Sequence, residues 1–355
     1  MKVGVDARHL GAGRGVARHL DGMLAALARA HPGDDWVALV PGRAAVVAPP
    51  GVRVVRTAAP SRLLFGAAAL MGRPRLDRLL GGGLDVLWLP APAPVAASPQ
   101  VPLALTVHDR SFEARPQDFT AYERLWHHAA APRRLAARAR IVVADSEATR
   151  ADLLAAGWPL DAARLRVVHP GVDGGPVAAA PRGHRAHLLF VGALEPRKGI
   201  DELATAYRAA RARGLGAELL VAGTGRLAGR LEGIDGVRLL GAVDDARLAE
   251  LYAGACALVL PTRLEGFGLP PLEAALHGVP SVLSDLPVFR ETLGAAALFV
   301  PPGDAGALAE ALLAISTDGE LCERLGAHAR EAAQRLTWAR AAAGMHAALT
   351  EAAGA

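Results

Sequence analysis

Short apolar segments alternate with alanine- and arginine-rich stretches of helical composition along nearly the whole chain, and this rhythm restricts it to a parallel α/β architecture. Apolar runs without polar alternation suit strands covered on both faces, which is the arrangement that helical crossovers produce. The first half offers KVGVDA, WVALVP, VRVVRT, LDVLWLP, PLALTVHD, RIVVADS and LRVVHPG as strands, and the second offers HLLFVGAL, ELLVAGTG, VRLLGAV, ACALVLPT, PSVLSD and ALFVPP. Between them GVDGGPVAAAPRG (171–183) breaks the rhythm with glycine, proline and alanine and reads as a linker. The expected organisation is a first domain over residues 1–172, a linker over 173–186, a second domain over 187–336 and a closing helical segment over 337–355. A chain of 355 residues is long enough for two cores.

In such sheets ligands bind outside the carboxyl ends of the strands. The segment PTRLEGFGLPPLEAALHGVPSVLSD (261–285) follows the apolar strand CALVLPT and joins a glycine-rich turn to a short helix. Pro270 and Pro271 suit the first turn of that helix, Gly278 suits the position just past its end, and Pro280 lets the next strand begin. Gly266 and Gly268 let backbone approach a ligand, and a helix start, carrying about half a positive charge, attracts phosphate. Glu265 stands in the loop and Glu273 lies one turn into the helix. One carboxylate at each end of a diphosphate would grip the two diols of a nucleotide sugar, although the same spacing also occurs on solvated helices.

EGFGLPPLEA resembles the E-x(7)-E signature of the retaining GT-B glycosyltransferases of family 4, the group 1 enzymes that include many bacterial mannosyl- and glucosyltransferases. The resemblance extends over nearly the whole chain through LLFVGALEPRKGIDELATAY (188–207), LLVAGTG, VRLLGAV and LFVPPGDAGALAEAL, and through LTVHDRSFEARP and VVADSEATRADL in the first half. It implies a GT-B fold: two Rossmann-like domains facing across a cleft, the first for the acceptor and the second for the nucleotide-sugar donor, with a last helix crossing back. It also implies Glu265 and His108 as catalytic residues. Gly15, Gly192, Arg197, Lys198, Val243, Gly266, Phe267, Gly268, Leu269 and Glu273 are implied as donor-binding.

The residue chemistry is compatible with these roles. Arg197 and Lys198 follow a strand and Gly192, so a guanidinium and an ammonium could neutralise charge growing on a departing nucleoside diphosphate. Lysine occurs only at Lys2 and Lys198 in an arginine-rich chain, which points to a local requirement; a solvated pair in a turn is the plain alternative. His108 ends the strand LALTVHD, where it would position the sugar, and a structural histidine bonded to a neighbouring strand end fits the same place. Asp109 beside it suits a turn cap. In GAGRGVARHL (11–20) Gly15 keeps the family's first glycine, while Ala17 replaces its second. No D-x-D pair occurs, so no divalent metal and no other cofactor is expected. The resemblance implies substitution on one face of the sugar, with Glu265 orienting it rather than bonding to it.

Composition bounds the partners. A formal net charge of +4 without interleaved arginine and aromatic residues gives no reason to expect nucleic acid. Cys256 and Cys322 have no metal-ligand spacing and read as small core residues. MKVGVDARHL shows no apolar signal region and the proline-broken stretch 84–107 is no membrane span, so the expected compartment is the cytoplasm. Peripheral contact with the inner face of the membrane stays open because ERLWHHAAAPRRLAARAR (123–140) mixes arginines with Leu125, Trp126 and Leu135; an ordinary surface helix packing its leucines inward is the competing reading.

The function expected from all this is transfer of a hexose, mannose from GDP-mannose, to a glycan or lipid-linked acceptor in cell-envelope or exopolysaccharide biosynthesis. UDP-glucose is the alternative donor, with base contacts expected around Gly223–Arg226 and Val243. A sugar phosphorylase would need its pyridoxal phosphate on Lys198, the sole internal lysine, and a non-catalytic sugar-binding module is the remaining alternative.

Overall fold

The computed structural model describes residues 1–12, 15–42, 46–173 and 187–354. The linker expected over 173–186 lies outside the described residues apart from Asp173. The chain divides into two compact units, one formed by Met1–Gly171 with Thr337–Ala355 and the other by Val172–Leu336.

In the first unit, β1 (Lys2–Asp6), β2 (Asp35–Pro41), β3 (Val52–Thr57), β4 (Val86–Leu89), β5 (Leu103–Val107), β6 (Ile141–Ala144) and β7 (Leu165–Val167) form one parallel sheet. Its order is β3-β2-β1-β4-β5-β6-β7. The chain therefore winds outward from β1 to β3, then returns to the other side of β1 and winds outward again. The helix Trp338–Ala353 packs on the helix Gly15–Ala30 and on β4, β5 and β6. Thr337 caps its start by accepting from the Arg340 amide, and Gly354 ends it in the left-handed region.

The second unit repeats the plan. Strands β8 (His187–Val191), β9 (Glu218–Ala222), β10 (Val237–Gly241), β11 (Ala255–Leu260), β12 (Ser281–Ser284) and β13 (Ala297–Val300) pair in parallel in the order β10-β9-β8-β11-β12-β13. Every apolar segment read as a strand forms one. Phe190, Tyr207 and Phe289 are fully buried here, and each large apolar side chain removed from water contributes about 1.5–3 kcal/mol. The Tyr207 hydroxyl, carried into the core with its ring, lies 2.9 Å from the Ala217 carbonyl and 3.0 Å from that of Gly236. Both cysteines are free thiols and half-buried, less deeply placed than core residues would be. Burial pushes the Cys256 thiol up to about 11, which keeps it protonated and unreactive at neutral pH.

Candidate active site

Each sheet reverses its winding direction once, and that point leaves a crevice between the loops of two adjacent strands. In the second unit the reversal falls between β8 and β11, paired in a register that sets Leu258 beside Leu189. The loop after β8 carries Gly192, Arg197 and Lys198, and the loop after β11 carries Glu265 to Leu269. Sheet topology alone thus brings together two segments each singled out by the sequence, with Lys198 and Glu265 separated by 67 residues.

Side-chain and backbone contacts then clamp the loops. Pro196–Lys198 forms a single tight turn that ends at Gly199, whose φ of 70° lies in the left-handed region. A Cβ there would stand 2.0 Å from the Pro261 carbonyl oxygen, so only glycine permits this approach. The Arg263 amide donates to the Arg197 carbonyl at 2.8 Å, and the buried Thr262 hydroxyl is 2.9 Å from the same oxygen and 3.0 Å from the Leu264 carbonyl. The result is an ion pair between the Lys198 ammonium and the Glu265 carboxylate, whose side chains are only 10% and 14% exposed. Arg197 remains half-buried beside it.

The helix Leu269–Leu276 starts where the sequence places it. Gly268, at φ 90°, caps it so closely against Phe289 that a Cβ would come within 2.5 Å of the ring. Phe267 is buried and Leu269 half-buried. This helix start is poorer in phosphate donors than expected, because Pro270 and Pro271 carry no N–H and leave Leu269 as the donor among its first three residues. Glu273 accepts a hydrogen bond from the Tyr252 hydroxyl at 2.8 Å, and the Tyr252 ring stacks on His277 with centroids 5.8 Å apart.

The loop after β9 lies against the loop after β8. The Leu194 amide donates to the Thr224 carbonyl and the Leu227 amide to the Leu194 carbonyl, each at 3.0 Å, while Arg226 pairs with Glu195 at 2.9 Å. Val243 follows β10, two strands away from β8, and packs half-buried against the core. It lies on neither of the two loops that meet at the Lys198 and Glu265 pair.

The first unit has a polar centre of its own. Because Val107 of β5 pairs with Ala144 of β6, His108 and Asp145 emerge side by side at the carboxyl ends. His108 Nδ1 lies 2.5 Å from Asp145 Oδ2. His19, on the helix Gly15–Ala30, places Nε2 3.8 Å from the other Asp145 oxygen and sets its ring edge-on to His108 at 4.8 Å. Burial pushes His19 down to about 4, so it is neutral at pH 7. Burial works in the same sense on His108, but the Asp145 charge and hydrogen bond outweigh it and raise its pKa; for Asp145, burial is likewise outweighed by His108 and the net direction is down. Asp109 takes the turn-capping role, accepting from the Ser111 amide at 2.8 Å. Gly15 is exposed at the helix start, and residues 13 and 14 of its glycine-rich loop lie outside the described residues.

Sequence reasoning missed Thr262, Tyr252, Gly199, Asp145 and His19. An aspartate ending the apolar run RIVVADS was the available signal for Asp145. Among the described residues, two groups of three side chains bring together atom types that could hold a metal ion, His19 with His108 and Asp145, and His31 with Asp34 and His346; both lie in the first unit.

Comparison with known proteins places the chain in a family. Residues 185–318 match the family described as "Glycosyl transferases group 1" and residues 13–174 match "Glycosyltransferase Family 4". The chain is 31% identical over 301 residues to a phosphatidyl-myo-inositol mannosyltransferase of Mycobacterium leprae, covering 78% of this chain and 76% of that protein. It is 34% identical over 187 residues to a glycogen synthase of Mycobacterium tuberculosis, covering 49% of this chain and 44% of that longer protein. The fold is that of a sucrose-phosphate synthase from Thermosynechococcus elongatus, with a TM-score of 0.79 over 99% of this chain and 98% of that one at 21% identity.

Proposed function

From the premise that this chain belongs to glycosyltransferase family 4, the group 1 enzymes, we propose that it moves mannose from GDP-mannose to a glycan or lipid-linked acceptor of the cell envelope, with retention and without a metal ion. The observation that carries the reading is the Lys198–Glu265 pair, a largely buried cation and carboxylate at the strand crevice of the second unit. In this mechanism the acceptor hydroxyl attacks the anomeric carbon on the face that the diphosphate leaves. The carbon–oxygen bond to phosphate breaks, and the hydroxyl proton passes to the departing phosphate oxygen. Lys198 and Arg197 neutralise the charge gathering on that oxygen, Glu265 orients the sugar and Glu273 receives the ribose diol. In the first unit, His108 is the second residue read as catalytic.

Mannose is favoured because the mannosyltransferase relative matches across three quarters of both chains. The partial match to a glycogen synthase supports UDP-glucose as the second donor. Calorimetric titration with GDP, UDP, ADP and their sugar conjugates, in buffer free of divalent ions, tests the reading. GDP-selective binding is expected, weakened on the order of 10-fold or more by Glu273→Ala through loss of charge-assisted bonds worth about 1.5–3 kcal/mol. UDP selectivity would transfer the assignment to the glucosyl donor, and absence of any nucleotide binding would remove the transferase reading.

We also propose that the first unit touches anionic membrane through exposed apolar residues of the helix Ser61–Met71 and of the start of the basic stretch, and not through the arginines of that stretch. Within 123–140, Leu135 is buried, Trp126 meets Phe65 edge-on at 6.1 Å, Arg133 binds Glu113, and Arg138 and Arg140 bind the Ser98 and Ala352 carbonyls. Among the exposed large apolar residues are Leu63, Leu70 and Met71 on the helix Ser61–Met71, with Tyr122 and Leu125; Arg62 lies 5.1 Å over the Tyr122 ring. No helix among the described residues is long and apolar enough to cross a membrane, and an apolar patch with adjacent arginines suits the interface. Flotation with vesicles containing anionic lipid is expected to carry the protein, and Leu70→Asp with Leu125→Asp to release it. Equal flotation of both proteins would exclude this surface.

A further inference from the structure

We propose that Asp145 and His19 are positioning residues for His108: the Asp145 carboxylate accepts the Nδ1 proton and fixes the ring, the edge-on His19 walls it, and His108 Nε2 is left as the atom offered to a ligand oxygen. The proposal rests on the transferase reading for what that ligand is, a sugar hydroxyl, but the arrangement stands in the first unit by itself.

Three observations converge on it. The first is the short Asp145–His108 contact of 2.5 Å, set by the β5–β6 register and not by flexible side chains reaching out. A carboxylate cannot donate when ionised, so the proton in this bond sits on Nδ1, and Nε2 is directed away from the carboxylate. The second is that His108 Nε2 is buried and makes no well-formed hydrogen bond in the protein, although the Pro90 carbonyl acts on the ring, and a buried nitrogen so placed costs free energy unless something else bonds there. The third is His19. At 3% exposed it is neutral at pH 7, and its ring meets His108 at an interplanar angle of 75° without competing for its nitrogen.

The charged surroundings support a fixed, proton-bearing ring. Asp109 lies beside His108 in sequence and the Pro90 carbonyl favours the protonated ring. Against these stand His9, with Arg8 next to it, and His19, while His169 acts on Asp145 from beyond. The charge balance is carried by one buried carboxylate shared between two imidazoles. Removing that carboxylate is therefore expected to alter both the tautomer and the proton affinity of His108, and the accompanying loss of turnover separates a positioning role from a merely structural one.

Nitrogen-15 spectra of the full-length, histidine-labelled protein test this without any turnover, with His108→Gln identifying the resonance. In the unsubstituted protein His108 is expected to keep its proton on Nδ1 from pH 6 to 8; in Asp145→Asn the ring is expected to titrate at lower pH and to populate the other tautomer. The kinetic companion is a loss of turnover on the order of 100-fold in Asp145→Asn, with donor KM nearly unchanged, in line with losing an oriented hydrogen-bonding group. His19→Phe, which keeps the wall and the fold, is expected to retain the Nδ1 proton and most of the rate. An identical His108 signature in Asp145→Asn would overturn the proposal, and so would tight zinc binding by the unsubstituted protein that Asp145→Asn abolishes, because the carboxylate and both rings would then be metal ligands. Failure to find any donor would sink the transferase reading alone, since the spectra decide the positioning independently.

Discussion

Replacing Lys198 with alanine is expected to lower turnover by on the order of 100- to 1000-fold, the usual consequence of removing one preorganised stabiliser of charge on a leaving group. The same change leaves the Glu265 carboxylate, 14% exposed, without its cation, and an unsatisfied group of this kind costs about 1–3 kcal/mol of stability. The two effects are separable. In the double variant Lys198→Met with Glu265→Leu, apolar groups replace both partners, and stability is expected to return while turnover stays lost, because a buried pair contributes little net stability over well-packed apolar side chains. Thermal melting and initial rates on the same preparations distinguish the cases. A Lys198→Ala enzyme that melts early but turns over normally would make the pair a structural device and remove Lys198 from the chemistry.

What the sequence conveyed of this pair was the identity of each partner, not their meeting. Lys198 stood out as the sole internal lysine, and Glu265 through a strand, glycine turn and helix start in succession. Both signals are local. The pairing depends on β8 and β11 being neighbours, which follows from the strand order, and on Gly199 and Thr262 holding the turn against the strand end. The strands themselves were legible because an apolar run that needs cover on both faces has few places to go. Polar centres made from several strand ends were less so: Asp145 and His19 are separated from His108 by 37 and 89 residues, and no spacing rule links residues that meet through sheet register. Tyr252 was hidden for another reason. Its ring is buried as any core aromatic would be, and only the direction of its hydroxyl marks it as the partner of Glu273.

Gly199→Ala is the substitution in which fold and chemistry are expected to fail together. Its φ of 70° would cost a residue with a Cβ roughly 1–2 kcal/mol. The added carbon would also meet the Pro261 carbonyl at 2.0 Å, a backbone atom with no rotamer to yield, and such overpacking adds about 1–3 kcal/mol. A total on the order of 3 kcal/mol corresponds to a fall in melting temperature of roughly 6–12 °C for a unit of this size. Relief requires the turn after β8 to move off the end of β11, which stretches the Thr262 and Arg263 contacts to the Arg197 carbonyl and carries Lys198 away from Glu265. Activity at a temperature where the variant is still folded is therefore expected to fall by on the order of 100-fold, since small displacements of reacting groups have costs of that size. Glycine at 216, with no left-handed backbone and open space around it, supplies the control: Gly216→Ala is expected to leave both melting and rate nearly unchanged. If Gly199→Ala melts normally and keeps its rate, the two loops do not depend on their close approach, and the geometry of the Lys198–Glu265 centre has another source.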